Sequence, residues 1–431
     1  MGLSQQPDKT DRRLMAWYLY DWANSAYVTT VAVTLLPAWF SQGIVAAEQV
    51  RTPFGYLAPE SLWALANAGA AAAVFLVAPF LSAVADLSRS RRWFLISFAA
   101  LGASATFGLS FMGRSMVWET LLLFGISQVG FVSANIFYDS FLPLICGRKR
   151  LDEVSSRGYG LGYIGGGLNL LLAAVMLYFH KELGLSREGA VKAGIALAAL
   201  WWALFSIPAA RWLKDDGGLD GAVSPVEAVK MAGSRLAASA SMLVHKPLLI
   251  RFLLAFLLYN EGIQTVIQMA AIYGRQALGL STAFLTGTLL AVQALAAVGA
   301  YGFSRLASRI SALPAICAGL VIWIAIIFYA GLFLNGARDY LMLALAIGLV
   351  LGGTQALSRS LFASMIPPEA SAEYFSFYSV ISKFAAITGP MLFALSREYS
   401  GSIRIALLST LFFFISGLLL LVSCQSGKKS F

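Results

Sequence analysis

The sequence predicts an all-α membrane protein with twelve transmembrane helices arranged as two six-helix halves. Three observations predict it: an apolar, charge-poor composition, apolar runs long enough to cross a bilayer, and one long hydrophilic stretch that divides those runs six and six. Of 431 residues, 59% are hydrophobic and 12% charged, and the mean hydropathy is +0.75. A soluble domain averages roughly 45–50% apolar and about 25% charged residues. A water-soluble chain of this length needs far more surface charge, so a soluble enzyme is excluded, as is a disordered chain. The 39 glycines follow no Gly-X-Y period, which excludes collagen. A helix needs about 20 residues to cross the hydrocarbon core, so twelve use roughly 240–280 and leave short loops. The runs are continuous rather than alternating, which favours helices over a β-barrel.

The elements follow in order. Met1 to Leu14 is polar and carries Lys9, Arg12 and Arg13. The apolar run after it is too long for a signal-peptide core and lacks a small-residue cleavage site, so it reads as an uncleaved first span. The predicted spans are Trp17–Ile44, Leu62–Val84, Trp93–Met112, Trp118–Ile145, Gly158–His180 and Ala193–Trp212, then Leu248–Tyr273, Ala283–Phe303, Leu313–Leu334, Tyr340–Ala363, Tyr374–Leu395 and Ile403–Val422. Between the sixth and seventh runs a hydrophilic stretch from Lys214 to Lys246 begins with Asp215, Asp216, Gly217 and Gly218 and turns amphipathic through Val226–Leu243. This gives a first half at 1–212, a cytoplasmic linker at 213–246 and a second half at 247–431. Six spans, a central linker and six spans is the major facilitator plan, whose halves are internal repeats.

The formal charge is +10, from 31 basic and 21 acidic residues. In a membrane protein such an excess reads as orientation and contact with anionic lipid, not as nucleic-acid binding. With the N-terminus inside, 20 of the Lys and Arg residues fall in cytoplasmic segments and adjoining span ends, nine in external ones, and two, Arg359 and Lys383, within spans. The bias predicts both termini inside. Lys181, Arg187 and Lys192 run against it, being basic yet predicted external. Cys146, Cys317 and Cys424 are far apart with no metal or redox spacing, and His180 and His245 lie near loops. No metal site or cofactor is expected.

Charged groups at membrane depth cost several kcal/mol, so each needs a reason. The first predicted span carries Asp21 and Asn24, and the fourth Asn135 and Asp139 at i, i+4. The seventh carries Asn260, Glu261, Gln264 and Gln268, the last three on one stripe. The tenth carries Gln355 and Arg359, again at i, i+4, and the eleventh Lys383. Spans 2, 3, 6, 9 and 12 carry almost nothing comparable, so the pattern recurs on spans 1, 4, 7 and 10. In the major facilitator plan those helices line the central cavity, which makes this set the candidate substrate or coupling-ion site. The bland alternative is polar glue between helices. Glu261 and Asp139 suit proton or cation coupling, because a carboxylate at low dielectric can be poised to titrate. Arg359 and Lys383 either bind a substrate carboxylate or neutralise those acids. Asp21, near the cytoplasmic end of its span, suits a gate or surface role as well as a cavity role.

After the second span, Ser82-Ala83-Val84-Ala85-Asp86 leads to Arg91 and Arg92. This resembles the major facilitator loop signature, an Asp at a helix end before an Arg pair. Such a charge cluster can latch one half against the other, so Asp86, Arg91 and Arg92 are the candidate cytoplasmic gate. The ordinary alternative is a basic orientation loop. The matching loop after span 8 keeps Arg305 and Arg309 but lacks the Asp. Gly158, Gly160, Gly162, Gly165, Gly166 and Gly167 crowd the start of span 5 and allow close packing or a rocking interface. No strand precedes them and no Lys-Ser or Lys-Thr follows, which argues against a phosphate loop. Pro390, after Gly389, predicts a kink in span 11.

Tyr20-Asp21-Trp22-Ala23-Asn24-Ser25-Ala26-Tyr27 resembles the opening signature of the vacuole-effluxer-like transporters. This branch of the major facilitator superfamily includes the fungal autophagy-related vacuolar amino-acid effluxer and bacterial relatives. Residues 135–143, Ser155-Ser156-Arg157-Gly158-Tyr159, Tyr259-Asn260-Glu261-Gly262 and residues 352–360 are similar to the same branch. The resemblance implies twelve helices, alternating access, no enzymatic chemistry and a protein that works as a monomer. Short loops and a brief N-terminus point to a bacterial inner-membrane member.

The expected function is therefore secondary transport of a small-molecule substrate, with export of amino acids or similar solutes suggested by the resemblance, and a proton or cation as the candidate coupling ion. The alternative is a lipid or drug exporter of the same fold, since Tyr20, Trp22, Tyr138 and Tyr259 also suit amphiphiles. No Walker motif supports ATP drive within this chain. A membrane enzyme would need a clustered catalytic set at one face, and the two histidines are predicted on opposite faces. A sensor or scaffold would carry a sizeable extra domain, for which the linker is too short.

Overall fold

The computed structural model describes residues 9–45, 47–53, 55–215 and 223–426. The linker residues 216–222 and both chain ends, whose side of the membrane the charge count predicts, lie outside the described residues. Among the described residues, twelve helices are long and apolar enough to cross a membrane: Asp11–Val45, Pro59–Leu87, Arg91–Leu109, Val117–Ile145, Arg148–Tyr178, Arg187–Trp212, Pro247–Gln276, Thr282–Ile310, Ala312–Phe333, Ala337–Met365, Pro368–Ser400 and Ile403–Cys424. They are spans 1 to 12 below, and the side on which span 1 begins is the N-side. The protein is an integral, multi-pass, all-α membrane protein. A short antiparallel hairpin, Val50–Thr52 with Gly55–Leu57, sits in the loop after span 1.

Local signals set the ends of these helices. Ser186 and Ser281 cap spans 6 and 8, their hydroxyls accepting from Gly189 N at 2.9 Å and Phe284 N at 3.2 Å. Gly401, with φ +65°, stops span 11 in the left-handed conformation that glycine adopts without strain. Span 9 ends where Arg404 reaches back to the Leu334 carbonyl at 3.0 Å. Span 1 changes register in mid-membrane: Tyr27–Leu35 is π-helical, and the Thr34 hydroxyl donates to the Thr29 carbonyl at 2.7 Å. Such π turns are rare and concentrate at functional sites.

Contacts divide the chain into two compact units, Met1–Ile145 with Leu161–Ala232, and Cys146–Gly160 with Gly233–Phe431. In the first unit, spans 3 and 4 touch backbone to backbone, since a Cβ on Gly130 would stand 2.6 Å from Gly102 Cα. Its core aromatics include Trp63 stacked on Phe124 at 3.9 Å, and Tyr27 beside Trp202 at 5.3 Å. In the second unit, Tyr378 stacks between Phe256 at 4.2 Å and Phe362 at 4.8 Å. Leu76, Leu122, Leu200, Phe412 and Leu419 are exposed on span surfaces. That is the arrangement expected when the solvent is hydrocarbon.

The start of span 5, residues 146–160, groups with the second unit, and the linker helix Pro225–Val244 is divided after Ala232. The linker helix covers the stretch Val226–Leu243. Its Ala228 and Ala232 are buried against Ala83 and Val84 at the end of span 2. Farther along, Arg235 Nε donates to the buried Glu373 carboxylate at 2.9 Å, and the Ser239 hydroxyl donates to the same group.

The loop after span 2 forms a buried charge cluster. Arg91 Nε meets Asp86 Oδ1 at 2.5 Å and its Nη1 lies 3.5 Å from Asp215. The Arg92 backbone N–H donates to Asp215 at 3.4 Å. The Arg92 guanidinium points elsewhere and lies 5.2 Å from the Trp93 ring centroid. Burial pushes the Asp215 carboxyl above its ordinary value, with Arg91 pulling back. Removing one member of a buried ion pair costs about 3–5 kcal/mol, so Asp86→Asn is expected to lower Tm far more than Asp215→Asn. Because the folded-state pKa of Asp215 is raised, its proton stabilises the fold below the ordinary carboxylate range, and that contribution is lost as pH rises through the raised value. Thermal unfolding against pH should show this loss in the wild type and not in Asp215→Asn.

Candidate transport site

In the first unit the predicted residues of spans 1 and 4 meet. The Asn24 side-chain amide donates to Asn135 Oδ1 at 2.6 Å. The Tyr138 hydroxyl donates to Asp21 Oδ2 at 2.9 Å. Trp17 holds Tyr138 in place, with its indole N–H on the Tyr138 carbonyl at 2.9 Å and the rings stacked at 4.6 Å. Asp21 and Asn24 are buried, whereas Asn135 and Asp139 are half-buried. Span 5 closes on this group through glycine. A Cβ at Gly162 would come 2.8 Å from Ser25 Oγ and 3.1 Å from Asp21 Oδ1, and one at Gly165 would come 2.6 Å from the Trp22 carbonyl. At these two positions glycine permits close approach to span 1.

The sequence reading missed what surrounds this group. The Tyr20 hydroxyl is buried beside the Trp202 indole N–H and Asn24. Asn169 on span 5 is fully buried, and neither end of its amide has a hydrogen-bond partner among the described residues. Tyr20 belongs to the quoted opening motif. Trp202 and Asn169 sit in apolar runs that carry no local signal.

In the second unit, spans 7 and 11 share polar contacts. The Asn260 amide donates to the Ser382 hydroxyl at 3.2 Å. Glu261, 2% exposed, accepts from the Gly389 N–H at 2.6 Å and from the Thr388 hydroxyl. Gln264 is half-buried and Gln268 exposed. On span 10, Gln355 is half-buried, as is Lys383 on span 11.

Arg359 is 2% exposed and holds the N-side end of span 10 to the start of span 5. Its Nε donates to the Ser155 hydroxyl at 3.0 Å, its Nη2 donates to the Ser155 carbonyl at 2.9 Å, and its guanidinium lies 4.1 Å over the Tyr159 ring. Ser155 Oγ in turn donates to the Ala356 carbonyl at 2.7 Å, and the Ser360 hydroxyl donates to Asp152 at 2.5 Å. This clasp explains why residues 146–160 group with the second unit. Ser155 and Tyr159 stood in a quoted motif, but nothing in the sequence paired them with Arg359.

Twelve spans are the plan of a transporter of the major facilitator superfamily. The sequence profile of the family described as vacuole effluxer Atg22 like matches residues 9–430, and the chain belongs to that family. It is 32% identical over 413 residues to the uncharacterized MFS-type transporter YxiO of Bacillus subtilis, covering 94% of this chain and 93% of that one. It is 30% identical over 307 residues to autophagy-related protein 22-1 of Aspergillus fumigatus, covering 65% of this chain and 49% of the fungal protein. Among solved structures, the human organic anion transporter MFSD10 aligns with a TM-score of 0.70 at 15% identity, covering 96% of this chain and 100% of that one. At that identity the likeness shows the fold.

The clasp makes a graded prediction. Lysine cannot serve both Ser155 acceptors while stacking on Tyr159, so Arg359→Lys should cost about 1–3 kcal/mol. Ser155→Ala leaves the carbonyl acceptor in place and should cost less. Thermal unfolding of the two variants in detergent checks the order.

Proposed function

We propose that this chain is a secondary active transporter that works by alternating access and exports amino acids or similar small organic solutes. In this reading it sits in a bacterial inner membrane with both termini cytoplasmic and works as a monomer. The halves 1–212 and 247–431 are its moving bodies and 213–246 is the linker. One observation carries the reading: polar side chains recur on every third span, at Asp21, Asn24, Asn135, Asp139, Asn260, Glu261, Gln264, Gln268, Gln355 and Arg359, with Lys383 added from span 11. Half-buried or exposed members such as Asp139, Asn135, Gln264 and Gln355 suit contact with solute. The family's description as vacuole effluxers supports export, and amino acids are the solute class implied by the sequence resemblance.

In this reading Glu261 and Asp139 are the coupling carboxylates. A proton or cation drives transport only if its affinity differs between inward- and outward-facing states. Asp86, Arg91 and Arg92 form the cytoplasmic gate loop, where a buried ion pair resists opening until the charges are rehydrated.

A thermal-shift panel of amino acids, dipeptides, lipids and common drugs on the purified protein tests the substrate class, because a ligand that binds the folded state raises Tm with concentration over affinity. Shifts with amino acids support the reading, while shifts confined to lipids or amphiphiles replace it with export of those compounds. In proteoliposomes loaded with the ligand so identified, Glu261→Gln and Asp139→Asn are each expected to reduce gradient-driven efflux at least about tenfold, a loss of roughly 1.4 kcal/mol in coupling, with Tm close to wild type. Undiminished efflux in both variants removes carboxylate coupling.

A further inference from the structure

Span 11 runs as one continuous helix from Ser371 to Ser400 with Pro390 inside it. Pro390 lacks an N–H for the helical ladder, and its ring crowds the carbonyl one turn earlier. Glu261 of span 7 packs beside this proline. Its carboxylate accepts from the N–H of Gly389, the residue before the proline, at 2.6 Å, and from the Thr388 hydroxyl. The approach depends on glycine: a Cβ at 389 would overlap the Thr265 hydroxyl and stand 2.8 Å from a Glu261 carboxylate oxygen. The Thr265 hydroxyl is itself fixed, donating to the Glu261 carbonyl at 2.7 Å.

The partners of Glu261 among the described residues are thus neutral donors. On the neighbouring elements, Lys383 of span 11 and Arg359 of span 10 are the charged groups nearest mid-span, and Arg397, Glu398 and Arg404 lie at the far ends of spans 11 and 12. Span 8 carries its charges, Arg305 and Arg309, at its N-side end. None of these forms an ion pair with Glu261 among the described residues. A change of charge on Glu261 therefore breaks no salt bridge. It acts on the two hydrogen bonds to Thr388 and Gly389.

We propose that Glu261, Thr388 and Gly389 form a joint that holds span 11 against span 7 beside Pro390, and that protonation of Glu261 releases it. As a carboxylate, Glu261 has acceptor capacity for both donors at full charge-assisted strength. As a carboxylic acid it bears no charge, and one oxygen carries a proton that must find an acceptor of its own, so the hold on Gly389 N–H and Thr388 weakens. Thr388 is a positioning residue: it turns the carboxylate toward the Gly389 amide. The joint rests on the transport reading only for its purpose, which is to convert occupancy of a coupling site into a movement of span 11.

Backbone hydrogen exchange tests the joint without a substrate, so it succeeds or fails independently of the transport reading. The full-length protein in lipid nanodiscs is compared at about pH 5.5 and about pH 8, on either side of the range in which a buried carboxyl titrates, with rates corrected for intrinsic pH dependence. The wild type is expected to exchange faster across residues 388–395 at the lower pH. Glu261→Gln should exchange about tenfold faster than wild type at the higher pH, as expected for loss of a charge-assisted hydrogen bond, and should show no pH response. Thr388→Val should exchange at an intermediate rate and keep the pH response, and it stands in if Glu261→Gln does not fold. Exchange in Glu261→Gln equal to wild type, a pH response that survives in it, or a wild type without one overturns the joint.

Discussion

The bilayer core contains no water to solvate a stray polar group, and the described structure follows from that constraint. Backbone groups are satisfied within helices, which makes the chain all-α in the membrane. Polar side chains inside the spans gain by finding partners on neighbouring helices, as four of the candidate site residues do. Asn24 finds Asn135, Asp21 finds Tyr138, Glu261 finds the backbone of span 11, and Arg359 finds Ser155. Each contact joins two helices, so the residues that suit transport chemistry also hold spans together. Their energetic worth as glue is modest in membranes. The cost of leaving them unpaired is large, and that cost fixes which helices stand side by side.

The same constraint explains the glycines. A polar contact as short as that of Glu261 on the Gly389 amide needs two backbones close together, and a Cβ at 389 would forbid it. Gly162 performs the same service beside Asp21 and Ser25. Small residues and buried polar residues therefore act as a pair: one removes the side chain that would separate the helices, and the other uses the space.

Most of the fold was legible in the sequence because bilayer thickness imposes a length on every apolar run. Hydropathy located twelve spans, and their bounds moved only at the ends: span 1 begins at Asp11 rather than Trp17. The linker helix was legible from its amphipathic pattern. The π-helical stretch of span 1 was not, because Tyr27–Leu35 has the composition of any apolar helix, and the register change lies in backbone bonds. The hairpin at 50–57 was likewise hidden in a loop too short for periodicity. For the candidate site, intramembrane polarity marked Asp21, Asn24, Asn135, Glu261 and Arg359 individually. It could not say which would meet. Partners such as Thr388, Gly389, Ser155 and Tyr159 are ordinary residues whose importance arises from what stands across the interface.

Arg359 shows how far such reasoning reaches. As a lone cation in an apolar span it invited two readings, a ligand for a carboxylate or a counter-charge for an acid. The structure directs its guanidinium to a serine hydroxyl, a backbone carbonyl and a tyrosine face. Guanidinium presents several donors in one plane, so a single residue can satisfy a hydroxyl, a carbonyl and an aromatic face together. A helix end held this way resists separation through several hydrogen bonds of moderate strength, each replaceable by water. That is the energetic profile required of a contact that must be both made and broken in the working cycle of a transporter.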